Sequence, residues 1–438
     1  MKICFISLGC DKNLVDSEVM LGLLRDNGYE ITDMEEEADA IVINTCCFIH
    51  DAKEESVNTI IEMSRLKTEG RLRKLIVTGC LAERYAEEIR AQIPEVDGVI
   101  GTSAIEDLPK ALKSEGFFVS KRDLAYLPEP ETKRVLSADS YVSYLKIAEG
   151  CDKHCTYCII PRIRGPYRSV PMERLVSEAE YLAENGTKEL ILVAQETTVY
   201  GVDLYGKKML PELLTKLCEI EGIRWIRILY CYPEEITDEL IAVMKREPKI
   251  CRYLDMPVQH ASDEILKRMG RRTTGRDLKA IIRKLRKEIR GIALRTTLIT
   301  GFPGETEQDF QTLMAFAAEM RFNRLGVFPY SKEEDTPAAL MKPQVLKRDK
   351  IKRRNALMRQ QKSICAKYGE KCIGKKFDVI IDGYLPEEGV YAGRTYMDAP
   401  GIDGTVFVET DRNLLSGDIV PVRITGATEY DLIGECVK

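Results

Sequence analysis

The first pattern in the chain is an alternation. Over residues 1 to about 125, short apolar runs at 2–8, 40–44, 74–78 and 98–100 are separated by amphipathic stretches such as 16–27 and 53–66. Brief apolar runs between helical periodicities predict a parallel sheet with helices on its faces. From about 140 to 335 a strand-then-helix unit repeats. Its strands are predicted at 144–149, 189–195, 226–230, 253–257, 293–300 and 324–329. Six such units make an incomplete version of the parallel barrel, whose chemistry sits at the carboxyl ends of its strands. The helix over 172–184 stops at Asn185-Gly186, a usual C-terminal signal. Thr274 with Asp277, and Thr306 with Asp309, have the spacing of capping boxes. Residues 344–371 form one polar, basic helix, and the stretches KFDVIIDG, EGVYAGRT, GTVFVET and DIVPVRITGAT then predict a small all-β barrel. The expected fold class is α/β: an open parallel sheet domain over 1–125, a partial (β/α)6 barrel over 137–343, a linker helix over 344–371 and a terminal β-barrel over 372–438.

Composition narrows the function. No apolar run approaches the roughly 20 residues that span a bilayer. The opening MKICFISLGC has no small-residue cleavage site and reads as a first strand. A net charge of −5 does not suit a molecule that binds nucleic acid over its whole surface. Fourteen cysteines without a secretory signal point to reduced thiols in the cytoplasm and to metal or cluster ligation rather than a disulfide framework. With only His50, His154 and His260 available, a His-rich metal site is not expected.

Three cysteines, Cys151, Cys155 and Cys158, fall within CDKHCTYC, directly after the first predicted barrel strand. Structural zinc uses four ligands, usually in two pairs, and no second pair follows. Three thiolates suit a 4Fe-4S cluster with one iron left open for a substrate; the bland alternative is three buried structural thiols. A second set lies in the first domain. Cys10, Cys46 and Cys80 each end an apolar run, and ligands of open α/β sheets bind beyond the carboxyl ends of the strands. Glycines before Cys10 and Cys80 let the backbone approach a bulky group. Cys47 is ambiguous, because neighbouring strand residues face opposite ways, and Cys4 is expected in the core. Other barrel strands end in polar residues: Gln195-Glu196-Thr197, Gln259-His260, and the run from Thr300 to Thr306.

CxxxCxxC with Tyr157 before the last cysteine resembles the radical S-adenosylmethionine superfamily. That resemblance implies an open iron that chelates the amino and carboxylate groups of S-adenosylmethionine, and one-electron cleavage to a 5′-deoxyadenosyl radical. It implies that Tyr157 lies with the cofactor, that Gln195 and Glu196 occupy the place of the loop holding the methionine amino group, and that Gln259 and Thr297 lie near the ribose or carboxylate. His154 and His260 are supporting residues in this reading. The whole order of domains resembles the methylthiotransferases, whose last domain is called TRAM. One branch of that family modifies an adenosine of transfer RNA, and the other an aspartate of small-subunit ribosomal protein twelve. AEGCDKHCTYCIIPRIRG and GRTYMDAPGIDG are similar to the protein-modifying branch. The resemblance implies two 4Fe-4S clusters. The one on Cys10, Cys46 and Cys80 carries sulfur that one S-adenosylmethionine methylates. The other cleaves a second S-adenosylmethionine, whose radical takes hydrogen from the aspartate β-carbon.

The charge of the terminal barrel supports that branch independently. From Cys372 onward six basic residues stand against twelve acidic ones, a balance that repels phosphate and attracts a basic protein. Asp398 and Asp403, in a Gly-rich stretch with the composition of an exposed loop, are the expected substrate-recognition residues. The expected partners are the basic ribosomal protein, free or within its subunit, and an electron donor. The basic linker helix is either a solvated face or a contact for RNA phosphates. A non-enzymatic iron–sulfur carrier is the alternative from another class; it would leave the polar strand ends of the barrel unexplained.

Overall fold

The strand over Ala40–Thr45 is buried at all six positions, which requires a layer of helices on each face of its sheet. The computed structural model, which describes residues 1–128, 133–136 and 141–437, supplies both layers. In chain order the first elements are β1 (Lys2–Ser7), α1 (Asp11–Asp26), β2 (Glu30–Thr32), β3 (Ala40–Thr45), α2 (His50–Thr68), β4 (Lys74–Gly79), α3 (Cys80–Gln92), β5 (Gly98–Ile100), α4 (Leu108–Lys113) and β6 (Phe118–Ser120). The sheet order is β2-β1-β3-β4-β5-β6, with every pair parallel. Side chains alternate across it. Ile41, Ile43, Leu75 and Val77 pack with Ile60 and Met63 of α2 and Ile89 of α3. Ala40, Val42 and Ile76 pack with Met20 and Leu24 of α1 and Leu108 of α4. The two edge strands, β2 and β6, are three residues each and wholly or partly exposed, so no apolar run announces them.

The chain continues through β7 (Val142–Lys146), β8 (Ala148–Glu149), α5 (Ile160–Arg164), β9 (Arg168–Ser169), α6 (Met172–Glu184), β10 (Glu189–Val193), α7 (Val202–Tyr205), α8 (Leu210–Glu219), β11 (Trp225–Ile228), α9 (Asp238–Arg246), β12 (Tyr253–Asp255), α10 (Asp263–Arg268), α11 (Gly275–Glu288), β13 (Ala293–Thr300), α12 (Glu307–Met320), β14 (Arg324–Pro329), α13 (Pro337–Leu340) and α14 (Lys347–Glu370). The last strands are β15 (Lys376–Leu385), β16 (Val390–Arg394), β17 (Val406–Glu409), β18 (Ile419–Ala427) and β19 (Leu432–Cys436). Two compact units result. One comprises Met1–Ala138, Ala148–Val170 and Ser331–Ala339; the other comprises Asp139–Ile147, Pro171–Tyr330 and Leu340–Lys438. The units interleave, whereas the boundaries expected from sequence follow chain order. The cysteine-rich segment after β7 groups with the first unit. The expected boundary at 137 lies outside the described residues.

In the second unit, parallel strands run in the orders β7-β10-β11 and β12-β13-β14, and the bridge between Ile226 and Ile250 links the two groups. Strand and helix alternate as the partial barrel requires. Both expected capping boxes form, on α11 and α12. α14 buries a single stripe, Leu357, Gln361, Cys365 and Gly369, at four-residue spacing. Gln361 donates to the Phe322 carbonyl at 2.9 Å. Lys352, Arg359 and Lys367 lie exposed on its other side. β15 to β19 close into a barrel of order β15-β16-β17-β19-β18. Among the described residues, no helix is long and apolar enough to cross a membrane.

Candidate active site

Cys10 caps the start of α1, Cys46 follows β3, and Cys80 opens α3 directly after β4. All three therefore stand at the carboxyl ends of neighbouring parallel strands. Burial pushes the Cys80 thiol up, Arg164 acts against that, and Cys46, Cys47 and Cys10 add to the rise. Two glycines make the approach possible. A Cβ on Gly9 (φ 97°) would lie 2.7 Å from the Cys46 Cβ, and one on Gly79 (φ 90°) 2.2 Å from the Asn44 Oδ1. Cys46 and Cys80 are buried while Cys10 is exposed. Cys47 turns away from this set, its thiol donating to the Cys80 carbonyl at 3.2 Å. Burial pushes the Cys47 thiol up to about 12, against the lowering effect of Arg84. Cys4 sits in the core, its thiol pushed up to about 11 by burial.

One amide organises these loops. Asn13, fully buried on α1, donates through Nδ2 to the Leu8 carbonyl and to the Thr45 carbonyl, each at 3.0 Å. These two carbonyls lie on the segments that carry Cys10 and Cys46. Its Oδ1 stands 3.9 Å from the Cys80 sulfur and accepts from the Arg164 guanidinium. Neither Asn13 nor Arg164 was singled out from the sequence. Asn13 lies on a polar helix face, and Arg164 lies in the run CIIPRIRG with nothing local to show where it reaches.

The second cysteine set shares this unit. Cys151 and Cys155 are buried and Cys158 is half-buried. The Cys158 thiol is pushed up by burial, against the lowering effect of the Ile160 N–H, and Cys155 and Cys151 add to the rise. The loop is closed at its base, where β8 pairs with β9 and the Cys151 N–H donates to the Gly165 carbonyl at 3.1 Å. Tyr157 is half-buried beside the last cysteine, and His154 is exposed in a left-handed conformation.

Each cysteine set offers three soft donors on separate backbone positions. Among the described residues no three His, Cys, Asp or Glu side chains close around a single ion. A cluster does not require that, since each thiolate takes its own iron. Three donors and a backbone trimmed to glycine fit such a group.

In the second unit, Gln259 and Thr297 are brought together. The Gln259 N–H donates to the Thr297 carbonyl at 2.9 Å, and the Ile299 N–H donates to the Gln259 carbonyl at 2.7 Å. Gln259 has φ 68°, and its side-chain Oε1 is buried with no hydrogen-bond partner among the described residues. A buried acceptor left open is costly unless something fills it, so this atom fits a ligand donor. Glu196 is buried and accepts from the Thr198 hydroxyl, while Gln195 is half-buried. His260 is fully buried, its Nδ1 accepting from the Ser262 N–H at 3.0 Å and its Nε2 lying 3.6 Å from Glu305.

The expectation for Asp398 and Asp403 is corrected. They do not project from an exposed loop. Asp398 is 1% exposed and accepts from Arg324 Nε at 2.8 Å and from the Thr395 hydroxyl at 2.9 Å. The Asp403 carboxylate accepts from the Tyr253 hydroxyl at 2.7 Å and the Ala399 N–H at 3.0 Å, with Arg295 at 3.4 Å. Cationic partners from β13 and β14 draw these two acids inward. Asp378, Glu387, Glu388, Glu409, Asp411, Glu429 and Glu435 are the exposed acids of the terminal barrel among the described residues.

Comparison with known proteins agrees with this anatomy. Residues 2–101 match the uncharacterized protein family UPF0004, residues 145–317 the radical SAM superfamily, and residues 373–437 the TRAM domain. A ribosomal protein uS12 methylthiotransferase RimO from Lachnoclostridium phytofermentans is 64% identical over 99% of both chains. One from Pelotomaculum thermopropionicum is 51% identical over 100% of this chain and 99% of its own. Among solved structures, the radical S-adenosylmethionine methyltransferase TsrM from Kitasatospora setae shares the fold. It matches with a TM-score of 0.54 at 14% identity, covering 86% of this chain and 76% of its own. With identity this high along its whole length, the chain belongs to the RimO family of ribosomal protein uS12 methylthiotransferases.

Proposed function

We propose that this protein is a radical S-adenosylmethionine methylthiotransferase that modifies ribosomal protein uS12 at the β-carbon of an aspartate. The observation that carries the reading is the pair of three-cysteine sets, one of them at the strand ends of a parallel sheet, in a chain 64% identical to a uS12 methylthiotransferase.

Cys151, Cys155 and Cys158 would hold one 4Fe-4S cluster, and Cys10, Cys46 and Cys80 the second. Gln195, Glu196, Gln259 and Thr297 are assigned to S-adenosylmethionine, and Tyr157 keeps its assignment beside the first of these clusters. When bound, these groups supply one-electron cleavage of S-adenosylmethionine and a methylated sulfur, chemistry that a C–H bond without acidity requires. The chain's own part is to hold and orient. Asn13 ties the loops of Cys10 and Cys46 by donating both of its Nδ2 hydrogens to backbone carbonyls, and its Oδ1 faces the Cys80 sulfur. Gln259 presents a buried carbonyl oxygen that only a donor can satisfy. Burial of Cys46 and Cys80 keeps water from those sulfurs.

Recognition of a basic protein falls to the exposed acids of the terminal barrel rather than to Asp398 and Asp403. Glu409 and Glu435 are register neighbours on β17 and β19, and Arg423 of β18 stands opposite Glu435. A cytoplasmic location and a separate electron donor complete the proposal. The test is mass spectrometry of ribosomal proteins and transfer RNA from cells with and without the gene. A gain of one methylthio group on uS12 is expected. A methylthio group on transfer RNA adenosine, with uS12 unchanged, would overturn the protein-substrate reading.

A further inference from the structure

Arg164 is the last residue of α5, six positions beyond Cys158, and its side chain is 2% exposed. A guanidinium so deeply placed must be compensated. Nη1 donates to Asp16 at 2.7 Å and to Glu149 at 3.1 Å, and Nη2 donates to the Asn13 Oδ1. Glu149 lies two residues before Cys151, whereas Asp16 and Asn13 lie on the helix that Cys10 caps. The Asn13 oxygen that receives Arg164 also faces the Cys80 sulfur at 3.9 Å. One buried cation thus touches the segment carrying each cysteine set and reaches the first set through a single amide.

We propose that Arg164 is a positioning residue shared by the two cysteine sets, and that its charge tunes the cluster held by Cys10, Cys46 and Cys80. A fixed positive charge near a cluster favours the reduced, more negative state, and the low dielectric of a buried site screens it little. Asp16 and Glu149, both held by Nη1 of the same guanidinium, act with the opposite sign. The fork geometry matters as well as the charge: two separate nitrogens hold Asn13 and the carboxylates at once, which an ammonium on a flexible stem does not reproduce.

The inference rests on the assignment of Cys10, Cys46 and Cys80 to a cluster. The full-length chain with Cys151, Cys155 and Cys158 all replaced by Ala isolates that cluster. If this background binds no iron after anaerobic reconstitution, the cluster assignment fails, and the proposal with it. If it binds iron, the midpoint potential is measured by dye-mediated titration followed by electron paramagnetic resonance. Arg164→Gln is expected to make reduction about tenfold less favourable, about 59 mV for one electron. Arg164→Lys, which keeps the charge but not the fork, should recover part of that shift. Asp16→Asn should move the midpoint upward. A loss of packing alone has no reason to move these two neutralisations in opposite directions. An unchanged midpoint in Arg164→Gln with full iron content overturns the proposal. If Arg164→Gln takes up no iron, Asp16→Asn decides: a rise supports the tuning role, and no change or a fall overturns it.

Discussion

Replacing Asp398 with Asn separates a recognition role from a structural one. In the native chain the Asp398 carboxylate takes two hydrogen bonds from Arg324 and one from the Thr395 hydroxyl, and the pair is almost completely buried. Arg324 is held charged by this arrangement: burial would lower its pKa, and Asp398 more than offsets that. Removing one partner of such a pair costs about 3–5 kcal/mol, chiefly because the other charge is left buried alone. Asn keeps the shape and one acceptor for the guanidinium, which retains about 1–1.5 kcal/mol of hydrogen bonding. The expected loss is therefore about 2–3.5 kcal/mol. For a unit of this size that is roughly 5–10 °C in Tm. Differential scanning calorimetry of the full chain measures it, and methylthiolation of uS12 well below the transition should stay near the native rate. If Tm is unchanged while modification of uS12 falls severalfold, Asp398 contacts substrate and the burial argument is wrong.

Three further outcomes are expected. Reconstituted protein should carry about eight irons, and about four when Cys151, Cys155 and Cys158 are all changed to Ala; iron analysis that shows no drop removes the cluster from that loop. Gly79→Ala forces a side chain into a glycine-only conformation against the Asn44 side chain and the Thr45 carbonyl, a strain of about 1–3 kcal/mol with a clash of similar size. It should abolish iron uptake at Cys10, Cys46 and Cys80 while cleavage of S-adenosylmethionine to 5′-deoxyadenosine survives, and normal iron content would contradict it. Glu189 is fully buried; burial would raise its pKa, but Arg394 and Arg227 reverse that and hold it below the ordinary value. A depressed carboxylate gives stability that is complete above the unfolded-state value, about pH 4.3 for glutamate, and is lost as pH falls through the lower folded value. Urea midpoints between pH 6 and pH 3 should fall steeply in the native chain. In Glu189→Gln they should be lower at pH 6 and flatter below pH 4.3, and parallel curves would rule out this ion triad as a source of the acid sensitivity.

Local rules made much of this protein legible from its sequence. Aliphatic runs between amphipathic stretches marked β3 and β4 because a strand covered on both faces is mostly apolar. The Thr274 and Thr306 capping boxes were visible because both partners lie within one helical turn. CxxxCxxC was visible for the same reason, since its three sulfurs are close in the chain before any fold exists. Cys10, Cys46 and Cys80 could be joined from sequence only through a rule of topology, that parallel strands end at a common edge.

What tertiary structure alone decided are the long-range partners of charge. Nothing near Arg164 in sequence shows that it meets Asn13 and Asp16, about 150 positions earlier. Nothing in GRTYMDAPGIDG shows that its two acids turn inward, because the cations that draw them, Arg324 and Arg295, belong to strands more than 70 residues away. The local composition of that segment resembles an exposed loop, since glycine, proline and aspartate serve a tight turn equally well in water or against a barrel. A buried charge is stable only beside its opposite, and which opposite it meets is a property of the folded chain.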